Sequence, residues 1–436
     1  MQLNKKNIDN LFYIFIVTHL IIWTLVPTIT NNNLPLDTIE ALAWGSNLDW
    51  GFNKHPPASA FFAEVFYQIF GSQDWAYYFL SQIFLIISFF IIFKFSQEIY
   101  KDKILSFISV LILEGIYFYN YTTPEYNVYI SELPFWTLTI YFSYKAIFSN
   151  QLKDWIMLGF FASFGFLSHY LFLYLILSII IFQIYTIYNK KKFDLKFLIS
   201  IGIFLLMIMP HLIWLVENNY VTITYALDRA GLTDKNLIDH IIYPVSFLLK
   251  QFGILIPFWI MMLVLVNRYK LKLNFKDQKF LFLIFINLLP LILLAITSFL
   301  TGSRIKTMWL TPFYLSFGVF FIYLFQRNIN LKKLRKFYLT FIFFFLLSPI
   351  IYSVVSLTQV DKRTDYPGKE IAKKTQYVWS QDHDDQIEVV LGDEWHAGNL
   401  SYHLKSRPVW EGFVTKDKLD SLSKFTCIDN ICIGSR

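Results

Sequence analysis

The sequence predicts an all-α polytopic membrane protein with about eleven transmembrane helices and a small C-terminal α/β domain on the outer side. Three observations predict it. The 436 residues are 56% hydrophobic and 20% aromatic, with only 16% charged. Apolar runs of about 20 residues recur along the chain, the length that crosses a ~30 Å hydrocarbon core. Short lysine- and arginine-rich segments separate those runs. Inside lipid only helices and closed barrels satisfy every backbone group, and unbroken apolar runs mean helices. The net charge of +7 would suit nucleic acid if it lay in a stripe. Here the lysines cluster between apolar runs, which is a topology signal, so no nucleic-acid partner is expected.

Taken in order, residues 1–10 are polar and carry Lys5 and Lys6, and the run Leu11–Ile29 reads as the first span. A basic stretch before an apolar core also fits a signal peptide. NNNLP follows it in place of a small-residue cleavage site, which favours a retained anchor. Further spans are expected at 77–97, 104–120, 128–148, 155–167, 170–188, 197–217, 247–266, 280–300, 308–326 and 337–357. The fifth is short, and the chain around Ser168-His169 also suits a tight hairpin. One set of loops holds Lys5, Lys6, Lys101, Lys103, Lys153, Lys190, Lys191, Lys192, Lys196, Arg268, Lys270, Lys272, Lys276, Lys279, Arg327, Lys332, Lys333, Arg335 and Lys336. The opposite set holds Lys54, Arg229, Lys235, Arg304 and Lys306. By the positive-inside rule the N-terminus is cytoplasmic and the C-terminus outside, and the 30–76 loop is outside too.

That loop carries the densest chemistry. In LDTIEALAWGSNLDWGFNKHPP, Leu36–Pro57, the spacing predicts a helix with Ile39, Leu42 and Ala43 on one face. Asp37 and Glu40, three apart, project from a neighbouring face of the same turn. Pro56-Pro57 breaks the chain, and Ala58–Phe70 resumes as a second amphipathic segment, both segments suited to lying flat at the interface. Residues 1–357 are read as the membrane domain. Residues 358–436 turn charged and Gly/Pro-interrupted, with a strand-like Ile387–Leu391, then GDEW, then a helix-like AGNLSYHLK. Cys427 and Cys432 would lie on the oxidising side; a disulfide is the preferred reading over free thiols.

Ionisable groups in or beside spans are costly to keep and so are candidates for function. Those on the outer side are Asp37, Glu40, Lys54, His55, Glu125, Glu132, His169, His211, Glu217, Arg229, Arg304 and Lys306. A carboxylate there can deprotonate an attacking hydroxyl or hold a metal, and cations can neutralise a departing phosphate. The ordinary readings stand beside this one. Glu125 after Pro124 can simply start a helix, Glu217 can end one, and His211 can be a hydrogen-bonded histidine. Arg304 and Lys306 near Trp309 can snorkel to headgroups. His383-Asp384-Asp385 and His396 lack a recognised ligand spacing. No cofactor is required by any motif, and a divalent metal ion stays open. Phosphate-cradling glycine loops, zinc signatures and serine-nucleophile elbows are absent from the sequence, so a transferase acting here needs a lipid-linked donor.

These residues carry a family resemblance. D-x-x-E-A at Asp37–Ala41 with WGFNKHPP at Trp50–Pro57 resembles the bacterial branch of the protein O-mannosyltransferase family. That branch is similar to the aminoarabinose transferases that modify lipid A. GFLSHYLFLYL at Gly165–Leu175, SRIKTMWLTPFY at Ser303–Tyr314 and GDEWHAGNLSYHL in the tail resemble further segments of it. The resemblance implies a GT-C fold and transfer of a sugar from a polyprenyl-phosphate donor at the outer face. It implies Asp37 as the catalytic carboxylate with Glu40 assisting, and Lys54 and His55 as ligands of the donor phosphate. His169 stands where the family has lysine, and a neutral imidazole offers less charge there. Arg304 and Lys306 complete the expected phosphate ligands. Trp44, Trp50 and Phe52 would stack on sugar and prenyl groups. The expected acceptor is lipid A, another envelope glycan or a protein hydroxyl. The competing class is a transporter or lipid-linked sugar flippase, but paired halves with charges at mid-span are not visible. A structural scaffold leaves the Asp37–Pro57 cluster without a purpose.

Overall fold

The computed structural model describes residues 7–191, 194–231, 236–266, 273–428 and 430–436. Of the residues that set the expected topology, Lys5, Lys6, Lys192, Lys235, Arg268, Lys270 and Lys272 lie outside these. The chain opens with α1 (Ile8–Thr30), then α2 (Leu36–Gly45) and α3 (Ala58–Phe70), which form the 30–76 loop. It continues with α4 (Asp74–Tyr100), α5 (Lys103–Leu111), α6 (Val128–Ser149), α7 (Leu152–Ser168), α8 (Leu173–Lys190) and α9 (Lys196–Glu217). A short α10 (Val221–Arg229) precedes α11 (Asp239–Ile254), α12 (Ile256–Leu265), α13 (Gln278–Asn287), α14 (Leu289–Thr301), α15 (Phe317–Phe325) and α16 (Leu334–Thr358).

Six stretches among the described residues are long and apolar enough to cross a membrane, and eight if each of two bent pairs is one span. The bends have local causes. α11 and α12 meet at 51° where Pro257 enters the second helix, and the 3₁₀ segment Thr307–Tyr314, carrying Pro312, meets α15 at 55°. Length and apolarity alone thus mark eight of the eleven expected spans among the described residues. The three expected spans outside the eight are helical but differ in kind. The 104–120 stretch ends as α5 at Leu111 and continues as 3₁₀ turns, α6 carries Glu132 and Lys145, and α7 is only 17 residues long.

Helix packing follows the small-residue logic of membrane bundles. A Cβ on Gly159 of α7 would stand 2.4 Å from the Ser200 carbonyl of α9, so only glycine permits that approach. The Ser200 hydroxyl donates to the Trp155 carbonyl at 2.6 Å across the same contact. His19 of α1, fully buried, reaches the Tyr119 carbonyl at 3.0 Å and the Glu114 carboxylate at 3.2 Å, tying α1 to the turns after α5.

After α16 the chain forms a small α/β unit: α17 (Gly368–Asp382), β1 (Val389–Leu391), α18 (His396–His403), β2 (Val409–Trp410), α19 (Lys416–Asp420), β3 (Lys424–Ile428) and β4 (Ile431–Ser435). The strand expected at 387–391 and the helix expected after GDEW are β1 and α18. The sheet order is β2-β1-β4-β3, with β1 parallel to β2 and antiparallel to β4. Cys427 and Cys432 face each other across β3 and β4 and form the preferred disulfide.

This unit is seated on the 30–76 loop. Trp379, Val390, Leu400 and Ile433 share one apolar core with Ala43, Trp44 and Ala60 of α2 and α3. A Cβ on Gly398 would meet the Ile39 side chain at 3.0 Å and Ala43 at 3.1 Å, so α18 lies close on the apolar face that the sequence assigned to α2. Arg407 fastens the contact: its guanidinium donates to the Glu64 carboxylate and the Leu42 carbonyl, each at 2.6 Å, and stacks over the Tyr67 ring.

Candidate active site

Pro35, in extended backbone, starts α2 without a side-chain cap, which leaves the first amides of the helix unsatisfied. The loop before α6 answers this. The Asp37 amide donates to the Glu125 carboxylate at 3.1 Å, and the Thr38 hydroxyl donates to the Tyr126 carbonyl at 3.0 Å. Glu125 thus caps α2 from a distant part of the chain and does not begin the helix that follows it. Asn127 caps that helix, α6, by accepting from the amides of Tyr129 and Ile130. The exchange of contacts brings Asp37, Glu125 and Asn127 together.

The turn Trp50–Pro57 folds back under α2. The Phe52 amide donates to the His55 carbonyl at 3.1 Å, and Phe52 stacks on Trp44 with centroids 5.6 Å apart. The Lys54 ammonium then lies 2.7 Å from Glu40 and 3.2 Å from Glu394, the latter from the GDEW segment. Asn53 donates to the same Glu394 oxygen at 2.8 Å. The His55 ring sits 5.9 Å from Trp44, 5.8 Å from His169 and 6.4 Å from Tyr225. On the far side, the Thr222 hydroxyl of α10 donates to the Phe52 carbonyl at 2.7 Å, and the Arg304 amide donates to the Ala230 carbonyl at 2.9 Å. These two bonds tie α10 to the WGFNKHPP turn and to the segment after α14.

A cavity of about 510 Å³ lies between these elements. Asp37, Glu40, Lys54, His55, His169 and Lys306 line it, with Arg229, Tyr129, Tyr170, Tyr174, Tyr225 and Trp309. The structure therefore brings together six of the seven residues singled out from the sequence. Arg304 is exposed and outside the lining, whereas Arg229, also exposed and at the end of α10, is among the lining residues. Of the aromatic trio, Trp44 lines the cavity, Phe52 supports it from behind, and Trp50 is exposed against Phe61. His211 links elements: Nδ1 donates to the Trp50 carbonyl at 2.7 Å, which leaves Nε2 to accept from the Tyr170 hydroxyl at 2.8 Å.

Burial dominates the electrostatics. Asp37 is pushed up to about 7 by burial and by the Glu125 carboxylate, against the pull of Lys54, Arg229 and Asn127. Burial also lifts Glu40 to about 7 against its bond to Lys54. Burial alone would lower Lys54, but Glu40 and Glu394 outweigh it and hold the ammonium above its ordinary value. Burial, then the neighbouring His169, Lys54 and Arg229, drives His55 well below the imidazole range, so His55 is neutral and offers a phosphate one N–H donor. Lys306 is lowered by burial and by Arg229 and Arg304. A carboxylate poised near neutrality beside three cations can take a proton from a hydroxyl while a phosphate is held. Among the described residues no group of three or more His, Cys, Asp or Glu is arranged to hold a metal ion.

Three contributors escaped the site assignment made from sequence. Arg229 stood among the outer ionisable groups, Glu125 was weighed as a helix start, and Glu394 lay inside GDEW without being singled out.

Residues 54–214 match the family model described as dolichyl-phosphate-mannose-protein mannosyltransferase. No curated protein sequence matches the chain. Among solved structures, the chain is similar to ArnT from Cupriavidus metallidurans bound to undecaprenyl phosphate, with a TM-score of 0.64 and 11% identity over 94% of this chain and 86% of that one. The apo state of the same ArnT matches with a TM-score of 0.62 at 11% identity, over 94% of this chain and 87% of that one. This multi-pass membrane protein has a fold similar to that of ArnT, and the segment that matches the mannosyltransferase family model runs from Lys54 of the cavity through His169 to Trp214 in α9.

Proposed function

We propose that the chain transfers a sugar from a polyprenyl-phosphate donor, undecaprenyl phosphate in a bacterial inner membrane, to an acceptor on the periplasmic side. The observation that carries this reading is the cavity itself: Asp37, raised to about 7, shares its lining with Lys54, Arg229 and Lys306. In the proposed reaction an acceptor hydroxyl attacks the anomeric carbon and gives its proton to Asp37. The bond from that carbon to the donor phosphate oxygen breaks, and the cations stabilise the phosphate that leaves. Glu40 holds Lys54 in place for this. The lysine bias of the loops supports an N-terminus in the cytoplasm and the cavity outside. The likeness to a structure containing undecaprenyl phosphate supports the donor class. Lipid A, another envelope glycan or a protein hydroxyl is the proposed acceptor.

The test supplies membranes bearing the chain with a panel of undecaprenyl-phosphate sugars and follows mass added to envelope lipids, glycans and proteins. Repeating the reaction with chelator decides the need for a divalent ion. Transfer from one donor identifies both substrates. Movement of a lipid across the bilayer with no transfer from any donor would favour the flippase class instead.

A further inference from the structure

His169 occupies the place where lysine is expected from the resemblance, and its surroundings are unusual for a histidine beside a cavity. It ends α7 in extended backbone, is 8% exposed, and lines the cavity. Behind it lies Glu132 of α6, which is fully buried and does not line the cavity. Glu132 Oε2 stands 3.6 Å from His169 Nδ1, too far for a hydrogen bond. Neither carboxylate oxygen of Glu132, nor His169 Nδ1, has a hydrogen-bond partner. A carboxyl left buried and unbonded is costly to keep, and this imidazole, 3.6 Å away, is a neighbour of complementary chemistry. The other groups facing His169 are Tyr129 of α6, at 5.0 Å between ring centroids, and His55, at 5.8 Å, with Lys54 and Arg229 acting on His55 from beyond.

We propose that Glu132 and His169 are a proton-sharing pair that presents an imidazolium to the cavity when a phosphate occupies it, so that Glu132 is a positioning residue acting through His169. The proposal rests on the reading of the cavity as a polyprenyl-phosphate site. With the cavity empty, burial holds His169 down to about 3 and the ring is neutral. An arriving phosphate favours the charged ring. The proton leaves Glu132 Oε2 and binds His169 Nδ1, a transfer that needs the two atoms to close by roughly 1 Å to hydrogen-bond distance. The pair stays neutral overall, with its carboxylate behind and its cation in front. A lysine would hold its charge permanently at this position, and this pair charges only when the ligand is present.

The experiment measures binding of undecaprenyl phosphate to the purified full chain between pH 6 and pH 8. Glu132→Gln keeps the shape and removes the proton, so His169 must then draw one from solvent. Its affinity should fall about tenfold below wild type at pH 8, and the gap should narrow toward pH 6. In a His169→Lys background the charge is fixed, and adding Glu132→Gln should change affinity by less than about threefold at either pH. Equal affinity of Glu132→Gln and wild type at pH 8 would overturn the proposal. A loss that is the same at every pH and persists beside His169→Lys would overturn it too, by showing Glu132 to be structural. Failure of folded wild-type protein to bind undecaprenyl phosphate at all would instead overturn the donor assignment on which the pair depends.

Discussion

Lys54 is the joint between the 30–76 loop and the C-terminal α/β unit, and replacing it with methionine tests that joint. Its side chain is 20% exposed, and its ammonium stands 2.7 Å from Glu40 and 3.2 Å from Glu394, whose side chains are 13% and 6% exposed. Lys54→Met keeps the aliphatic stem and leaves two carboxylates facing one another in a poorly solvated place. Removing one member of such a buried pair costs about 3–5 kcal/mol. The loss should depend on pH, and the sign follows from Glu40. Its folded pKa is already raised to about 7, with Lys54 the chief group holding it down. Without Lys54 it rises further. A carboxylate raised on folding withdraws stability as pH climbs above its unfolded value near 4.3, and the withdrawal is complete above its folded pKa. The deficit of Lys54→Met relative to wild type should therefore be largest near pH 8.5 and shrink to about half near pH 5.5 as Glu40 takes up its proton. Adding Glu394→Gln should restore part of the loss. The assay is thermal unfolding of the purified protein at the two pH values. An equal loss at both, with no recovery in the double variant, would refute the assignment of Lys54 as the cation shared by these two carboxylates.

Two further outcomes are expected. Arg407→Ala should weaken the seating of the C-terminal unit by about 3 kcal/mol, because Glu64 is left buried without its guanidinium; limited proteolysis should then cleave within 358–436 far faster than in wild type. If Asp37 is the base, transfer should rise about tenfold per pH unit below pH 7 and level off above it, since the carboxylate acts only when deprotonated; a profile flat from pH 5 to pH 8 would contradict that role.

Much of the site was legible because its core is local. Asp37 and Glu40 share one helical turn, and Lys54-His55 stand before Pro56-Pro57, so a single loop announces both acids and bases within about twenty residues. Ile39, Leu42 and Ala43 declared the buried face of α2 by their spacing alone, and α18 packs on it. What was hidden depends on distant chain meeting this loop. Glu125 became a cap for α2 only because Pro35 leaves that helix without one. Glu394 reaches Lys54 only once the C-terminal unit has been seated by Gly398 and Arg407. Arg229 could be seen as an outer cation, but nothing in the sequence says that α10 places it at the cavity while Arg304 stays outside the lining. Three of the expected spans are less regular than the rest for a related reason. Apolar letters mark where a helix lies but not its regularity, and α5, α6 and α7 are short, interrupted or polar in ways that a run of hydrophobic letters conceals.

The central claim is that Asp37 removes the acceptor proton while the donor phosphate is held opposite. The measurement that tests it most directly compares sugar transfer by wild type and by Asp37→Asn, at equal protein level, from whichever undecaprenyl-phosphate sugar the wild type uses. Asparagine keeps the size of the side chain and cannot accept the proton. The account predicts a rate at least 10²-fold lower at saturating donor, with donor binding retained within a few-fold. Transfer at the wild-type rate by Asp37→Asn would contradict it and move the role of base to another carboxylate in the cavity.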